Sequence, residues 1–219
     1  MSNVETTGTA TGRAAAGQDS RKRRQILDGA HRQFMRQGFD ATSMGDIARG
    51  AGVSKGTLYV YFDSKERLFQ ELVREEKERQ FPTIFTIDPD ETDLRAALTR
   101  IGRQFARFVT QDHVVMAMRT IVAMSERMPE IALDFYDSGP RLCAGQLTDY
   151  FKRQMAAGRL AMPDADLAAV QFLELAQATL SRPLMFGARA RPSEAQIDAV
   201  VESAVAMFLA AYQRMPLRD

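Results

Sequence analysis

One cysteine, two histidines and no long uncharged run set the first limits on this 219-residue chain. A single thiol, Cys143, forms no intrachain disulfide. The N-terminus also lacks a charged stretch followed by an apolar core, so the cytoplasm is the expected compartment. One of the longest uncharged runs, Ser203 to Gln213, covers eleven residues. A membrane span needs about 18, so none is expected. Neither an HExxH string nor a phosphate-loop glycine string is present. A di-iron helical bundle would want Glu three residues ahead of each histidine, whereas His31 follows Asp28 and His113 follows Thr110 at that interval. No catalytic group, metal or cofactor is expected, and Cys143 reads as a small buried hydrophobe rather than a redox sensor.

The composition is that of an ordinary folded chain, 45% hydrophobic and 26% charged. Its net charge of +1 is unevenly spread: residues 1–62 hold nine Lys/Arg against five acids, a balance of +4, which leaves −3 for the rest. A basic end on a mildly acidic body suggests that one end meets a polyanion. Residues 1–19 carry hardly a large apolar side chain, and are expected to form a disordered tail.

From Ser20 onward the apolar spacing is helical. Ile26 or Leu27, Ala30 and Phe34 mark a first helix closed by Gly38, and its opening Arg21-Lys22-Arg23-Arg24 places four cations where the helix dipole disfavours them. A nearby phosphate or a solvated charge run would each account for that. Ser43 and Asp46 make a capping box for a short helix to about Arg49. Gly50-Ala51-Gly52-Val53 is a tight turn, and Ser54 caps a second short helix, Lys55 to Tyr61. Asp63 and Glu66 open a longer helix that ends at Phe81-Pro82. Helical spacing then continues over Leu94–Phe108, over Val114–Met128 to Pro129, over Ile131–Ala157 with a break at Ser138-Gly139-Pro140, and over Leu167–Phe186. Ser193 and Gln196 cap a last helix whose apolar residues spread around most of its surface. One core face does not need so much, so the last two helices are expected to pair two copies of the chain through Leu173, Leu180, Val201, Val205, Phe208, Leu209 and Tyr212. Burial within one chain is the alternative.

Two strings are more specific than the spacing. Ala51-Gly52-Val53-Ser54-Lys55-Gly56-Thr57-Leu58-Tyr59 and Tyr61-Phe62-Asp63-Ser64-Lys65-Glu66 closely resemble the DNA-binding domain of TetR-family (TetR/AcrR-like) transcriptional regulators, with the likeness running over about Ser20 to Gln80. The resemblance implies an all-α protein of about nine helices: a three-helix helix-turn-helix DNA-binding domain over 20–80, and a helical-bundle ligand-binding and dimerisation domain over 81–219. It also implies a homodimeric regulator, by family default a repressor, released from a pseudo-palindromic operator when a small hydrophobic ligand binds. An electrostatic, nucleoid-type DNA binder without inducer control is the alternative. Lys55 and Thr57 at the start of a recognition helix can reach base edges or phosphates, and Gly56 lets the backbone approach the duplex. Tyr59 and Tyr61 stand at DNA-contacting positions of the family, while Val60 replaces an aromatic that some members carry. Thr42, Ser43, Ser54 and Lys65, near helix starts, are candidate phosphate contacts. The ligand would enter the middle helices among Phe105, Phe108, Met116, Met124, Leu142, Leu147, Phe151 and Phe172, with Arg119 and Gln146 as its polar partners.

Overall fold

The structure, a computed structural model, describes residues 9–84, 87, 91–188 and 190–214, with 9–18 and 76–84 described in their backbone alone. The described residues form eleven helices, and the strand-like pairing among them is an isolated bridge between Leu160 and Gln213. The chain is all-α and divides into two compact units, Met1–Glu75 and Glu76–Asp219.

The first unit holds α1 (Thr9–Gln37), α2 (Met44–Ala51), α3 (Lys55–Tyr61) and the part of α4 (Lys65–Ile84) up to Glu75. Helix α1 begins at Thr9 rather than Ser20, because Ala10, Ala14, Ala15 and Ala16 favour helix and offset the lack of large apolar groups. Residues 1–8 of the expected tail lie outside the described residues. The run Arg21–Arg24 therefore sits within a helix and not at its start. Arg23 forms ion pairs with Glu71 and, at 2.7 Å, with Glu75, and lies over the Phe62 ring. The Glu71 carboxyl, which burial pushes up, is carried below its ordinary value by Arg74 and Arg23. The cap of α4 is Ser64, whose hydroxyl accepts from the Arg67 N–H at 3.1 Å, and not Asp63.

Ile26, Leu27, Ala30 and Phe34 fill the core of this unit as their spacing implies, with Phe34, Phe39 and Phe69 meeting at ring distances of 5.2 to 5.8 Å. Helices α1 and α2 cross at Gly29, where an added Cβ would come within 2.6 Å of Ala51 Cα. Gln25 donates to the Ala51 carbonyl at 2.6 Å and Arg32 to the Gly50 carbonyl at 3.0 Å, which closes the end of α2 onto α1.

The second unit contains α5 (Leu94–Val109), α6 (Asp112–Met124), α7 (Pro129–Ser138), α8 (Pro140–Ala156), α9 (Ala165–Ala176), α10 (Ser181–Met185) and α11 (Glu194–Tyr212). The break at Gly139-Pro140 separates α7 from α8, with Pro140 in a first turn where its missing N–H is harmless. The helix expected over Leu167–Phe186 is two helices. Thr179 between them adopts φ 65°, a left-handed conformation costly for a β-branched residue. Helices α5, α8, α9 and α11 share one core in which Phe151 stacks on Phe208 at 4.8 Å and Phe172 meets Phe208 edge-on at 5.3 Å. Among the described residues α11 is the one helix long and apolar enough to cross a membrane, yet its Val201, Val205, Phe208 and Leu209 are buried in this core.

Helix propensity alone would make Gly29→Ala stabilising by about 1 kcal/mol. The contact with Ala51 reverses the sign, and we expect the variant to lose about 1–3 kcal/mol in urea unfolding followed by circular dichroism. A raised midpoint would show that the crossing is looser than described.

Candidate nucleic-acid interface

Two capped helices and a left-handed glycine build the site. Ser43 caps α2 through the Asp46 N–H, and the Asp46 side chain returns a bond to the Ser43 N–H at 3.0 Å. Those bonds from the Ser43 side chain and backbone, with help from Arg49, hold the Asp46 carboxyl below its ordinary value. Gly52 ends α2 at φ 65° and ψ 38°, a conformation glycine adopts without strain. Ser54 then caps α3, accepting from the Thr57 N–H at 3.0 Å and sharing a 2.8 Å bond with the Thr57 hydroxyl. Gly52-Val53-Ser54-Lys55-Gly56 also fits the G-x-S-x-G pattern of a hydrolase nucleophile. That chemistry needs a strand-to-helix elbow, whereas here the serine joins two helices and serves as a cap.

Leu58 and Phe62 anchor α3 in the core. Lys55, Gly56, Tyr59 and Val60, one helical turn apart in pairs, share its exposed face. Tyr59 is 47% and Val60 82% exposed, so this face presents an aromatic and a β-branched apolar group to solvent beside one cation. A Cβ placed on Gly56 would meet nothing nearer than Ser54 Oγ at 3.9 Å, so the fold itself does not require glycine there.

Three of the residues expected at DNA are engaged within the chain. Thr42 is buried; its hydroxyl donates to the Gly38 carbonyl at 2.6 Å and accepts from Gln37 at 3.2 Å, fixing the turn after α1 rather than facing a phosphate. Lys65 donates to the Phe39 carbonyl at 2.8 Å with its ammonium 4.3 Å from the Phe39 ring centroid, so its charge holds the turn against α4. Tyr61 is half-buried, and a hydrogen bond with the Asp19 carboxylate raises its phenol above the ordinary value. Ser43, Ser54, Lys55 and Gly56 are exposed, and Thr57 partly so. Val60, not among the expected contacts, belongs to the same surface; its apolar type gave no signal of exposure.

In the second unit, Phe105, Met124, Leu147, Phe151 and Phe172 are buried, while Phe108 and Met116 are partly so. Leu142 is 42% exposed and faces outward. Arg119 is exposed, and its guanidinium donates to the carbonyls of Leu184 and Met185, clasping α6 to α10 instead of awaiting a ligand. Gln146 Oε1 is buried with no hydrogen-bond partner among the described residues. Tyr150 Oη and Gln154 Nε2, on residue types that give no sign of lining an apolar cavity, share that property, while Gln154 Oε1 accepts from Arg159. Burial pushes the Cys143 thiol up to about 12, which keeps it protonated and unreactive at neutral pH. The residues expected between two copies are core instead: Leu173, Leu180, Val201, Val205, Phe208 and Leu209 are buried within one chain, and the partly buried Tyr212 donates to Gln171. The apolar groups that α9 and α11 leave exposed are Leu167, Val170, Ala195, Ala199, Ala206, Met207, Ala210 and Ala211.

Comparison with known proteins agrees with this architecture. Residues 26–72 match the family model for bacterial regulatory proteins of the tetR family, and residues 96–214 match that for the C-terminal domain of AefR-like transcriptional repressors. The solved structure of the flavonoid-responsive regulator FrrA is 34% identical, with 90% of this chain and 100% of that one covered at a TM-score of 0.73. A TetR family transcriptional regulator from Pseudomonas syringae pv. tomato str. DC3000 is 28% identical, with coverage of 88% and 97% and a TM-score of 0.71. The transcriptional regulator AcrR of Shigella flexneri is 48% identical over 50 residues, 23% of each chain. Curated relatives of this kind are matched over about a quarter to a third of their length. With both of its units matched, this chain belongs to the TetR family of DNA-binding transcriptional regulators.

Proposed function

We propose that the chain is a cytoplasmic repressor that reads a pseudo-palindromic operator as a homodimer and leaves it when a small, mostly apolar molecule binds among the helices of the second unit. The exposed face of α3 carries this reading. Lys55 and Thr57 reach phosphates or base edges, and Tyr59 and Val60 offer apolar surface to thymine methyls. Gly56, which the fold leaves free to be another residue, lets the backbone approach the duplex. The nucleoid-type alternative draws its support from the basic N-terminal region, yet Arg23 and Arg24 are paired with Glu71 and Glu75, so fewer cations remain for a sequence-independent grip.

Pairing of two chains fits the exposed stripe on α9 and α11, where Leu167, Val170 and Met207 stand among alanines that permit close helix approach. Ligand response is supported by the description of FrrA as flavonoid-responsive and by the orphaned polar atoms of α8. Release requires that the ligand bind the operator-free state more tightly than the operator-bound one.

Fragments selected from a random DNA pool should share a pseudo-palindrome. Gly56→Ala should weaken binding to them by about 1–3 kcal/mol while leaving thermal stability unchanged or higher. A salt-steep affinity with no sequence preference, or full affinity in the variant, would contradict this reading. Sedimentation should give a pair of chains at micromolar concentration, and Val170→Glu with Met207→Glu should reduce it to a 24.5 kDa particle. A pair that survives both charges would place the interface elsewhere.

A further inference from the structure

The core of the second unit contains polar atoms that its own packing does not satisfy. On α8, Gln146, Tyr150 and Gln154 recur every fourth residue and so share one face. Gln146 Oε1, Tyr150 Oη and Gln154 Nε2 are all buried without a hydrogen-bond partner among the described residues, and Tyr150 and Gln154 are fully buried as residues. On α5, Gln104 Oε1 is in the same condition. Orphaned groups of this kind are costly to a core, and each calls for an explanation such as a bound molecule or water.

Both helices contribute to one core. The Tyr150 phenol is raised by burial first and then by Glu91, with Arg159, Arg100 and Arg153 pulling the other way, so it stands within electrostatic reach of the start of α5. Gln104 lies one turn beyond Arg100 on α5, and Gln146 one turn before Tyr150 on α8. Arg100 is neutralised by Glu91 at 3.0 Å, which leaves no demand for a ligand charge from that pair. Tyr150, protonated at neutral pH, donates or accepts; each glutamine amide presents an acceptor and a donor. Around them are Cys143, Leu147 and Phe151, which offer apolar contact.

We infer that the ligand of this regulator is a neutral molecule with an apolar body and at least two hydroxyl groups, held by Gln146 and Tyr150 on one face of α8. Hydroxyls suit these groups, because each both donates and accepts and none needs a counter-charge. A carboxylate would have to be desolvated beside acceptor oxygens and an arginine already paired. This rests on the proposal that the second unit binds a small molecule, and it adds the chemistry of that molecule.

Isothermal titration of the full chain with 4-hexylresorcinol, 4-hexylbenzoate and hexylbenzene tests it. The dihydroxy compound should bind at least ~10-fold more tightly than either of the others, the equivalent of about one hydrogen bond. Tyr150→Phe and Gln146→Leu should each reduce that affinity by ~10-fold, leave hexylbenzene binding unchanged and raise the melting temperature of the unliganded chain, since each removes an unsatisfied group. Equal or tighter binding of the benzoate, no binding of any of the three, or stabilised variants that bind the resorcinol as before would overturn the inference; in the last case the orphaned atoms serve buried water only. Resorcinol binding with these preferences that leaves the selected DNA still bound would uphold the ligand chemistry and refute ligand-driven release instead.

Discussion

Everything the first unit presents to solvent depends on how closely α1 and α2 meet at Gly29 and Ala51. With no side chain at Gly29, the end of α2 sits against the α1 backbone, and Gln25 and Arg32 bind the carbonyls that end leaves open. The left-handed Gly52 then turns the chain by a fixed angle into Ser54, and Leu58 and Phe62 rotate α3 so that Lys55, Gly56, Tyr59 and Val60 face outward. Loosening the first contact would move the last four side chains together. A DNA-reading surface needs that rigidity, because base edges are discriminated by hydrogen bonds and methyl contacts that tolerate little displacement.

The cations and hydroxyls near the site divide into two groups that the sequence does not distinguish. Arg23, Thr42 and Lys65 hold the frame, through carboxylates, a buried turn and a carbonyl of that turn. Lys55 and the hydroxyls of Ser54 and Thr57 remain at the surface. The division follows from ordinary accounting of buried polar groups: a cation beside orphaned carbonyls is used by them before it is offered to a ligand.

How far the sequence alone carries the account differs between the two units. Caps and periodicity locate α2, α3 and α11, since Ser43, Ser54 and Ser193 act through bonds to residues three positions away. The helical start at Thr9 is masked by a composition that resembles a tail, and the break at Thr179 by the absence of any glycine or proline at that position. Long-range contacts are the least legible. Periodicity reports that Val201, Val205 and Phe208 are covered, but not whether the cover is another part of the chain or a second copy, and here it is α5, α8 and α9. For the same reason Tyr150 Oη and Gln154 Nε2 give no sign in the sequence, since what distinguishes them is the partner each lacks once packed.

Together the two units describe a rigid reading head and a helical body whose core retains unsatisfied polarity. The most direct measurement is a crystal structure of the chain bound to a DNA fragment that it selects. In that structure α3 should lie in the major groove, with the Gly56 backbone against the duplex and Lys55, Tyr59 and Val60 in contact with it, in two copies related by two-fold symmetry. DNA held by any other surface, with the Lys55–Val60 face left in solvent, would contradict that placement.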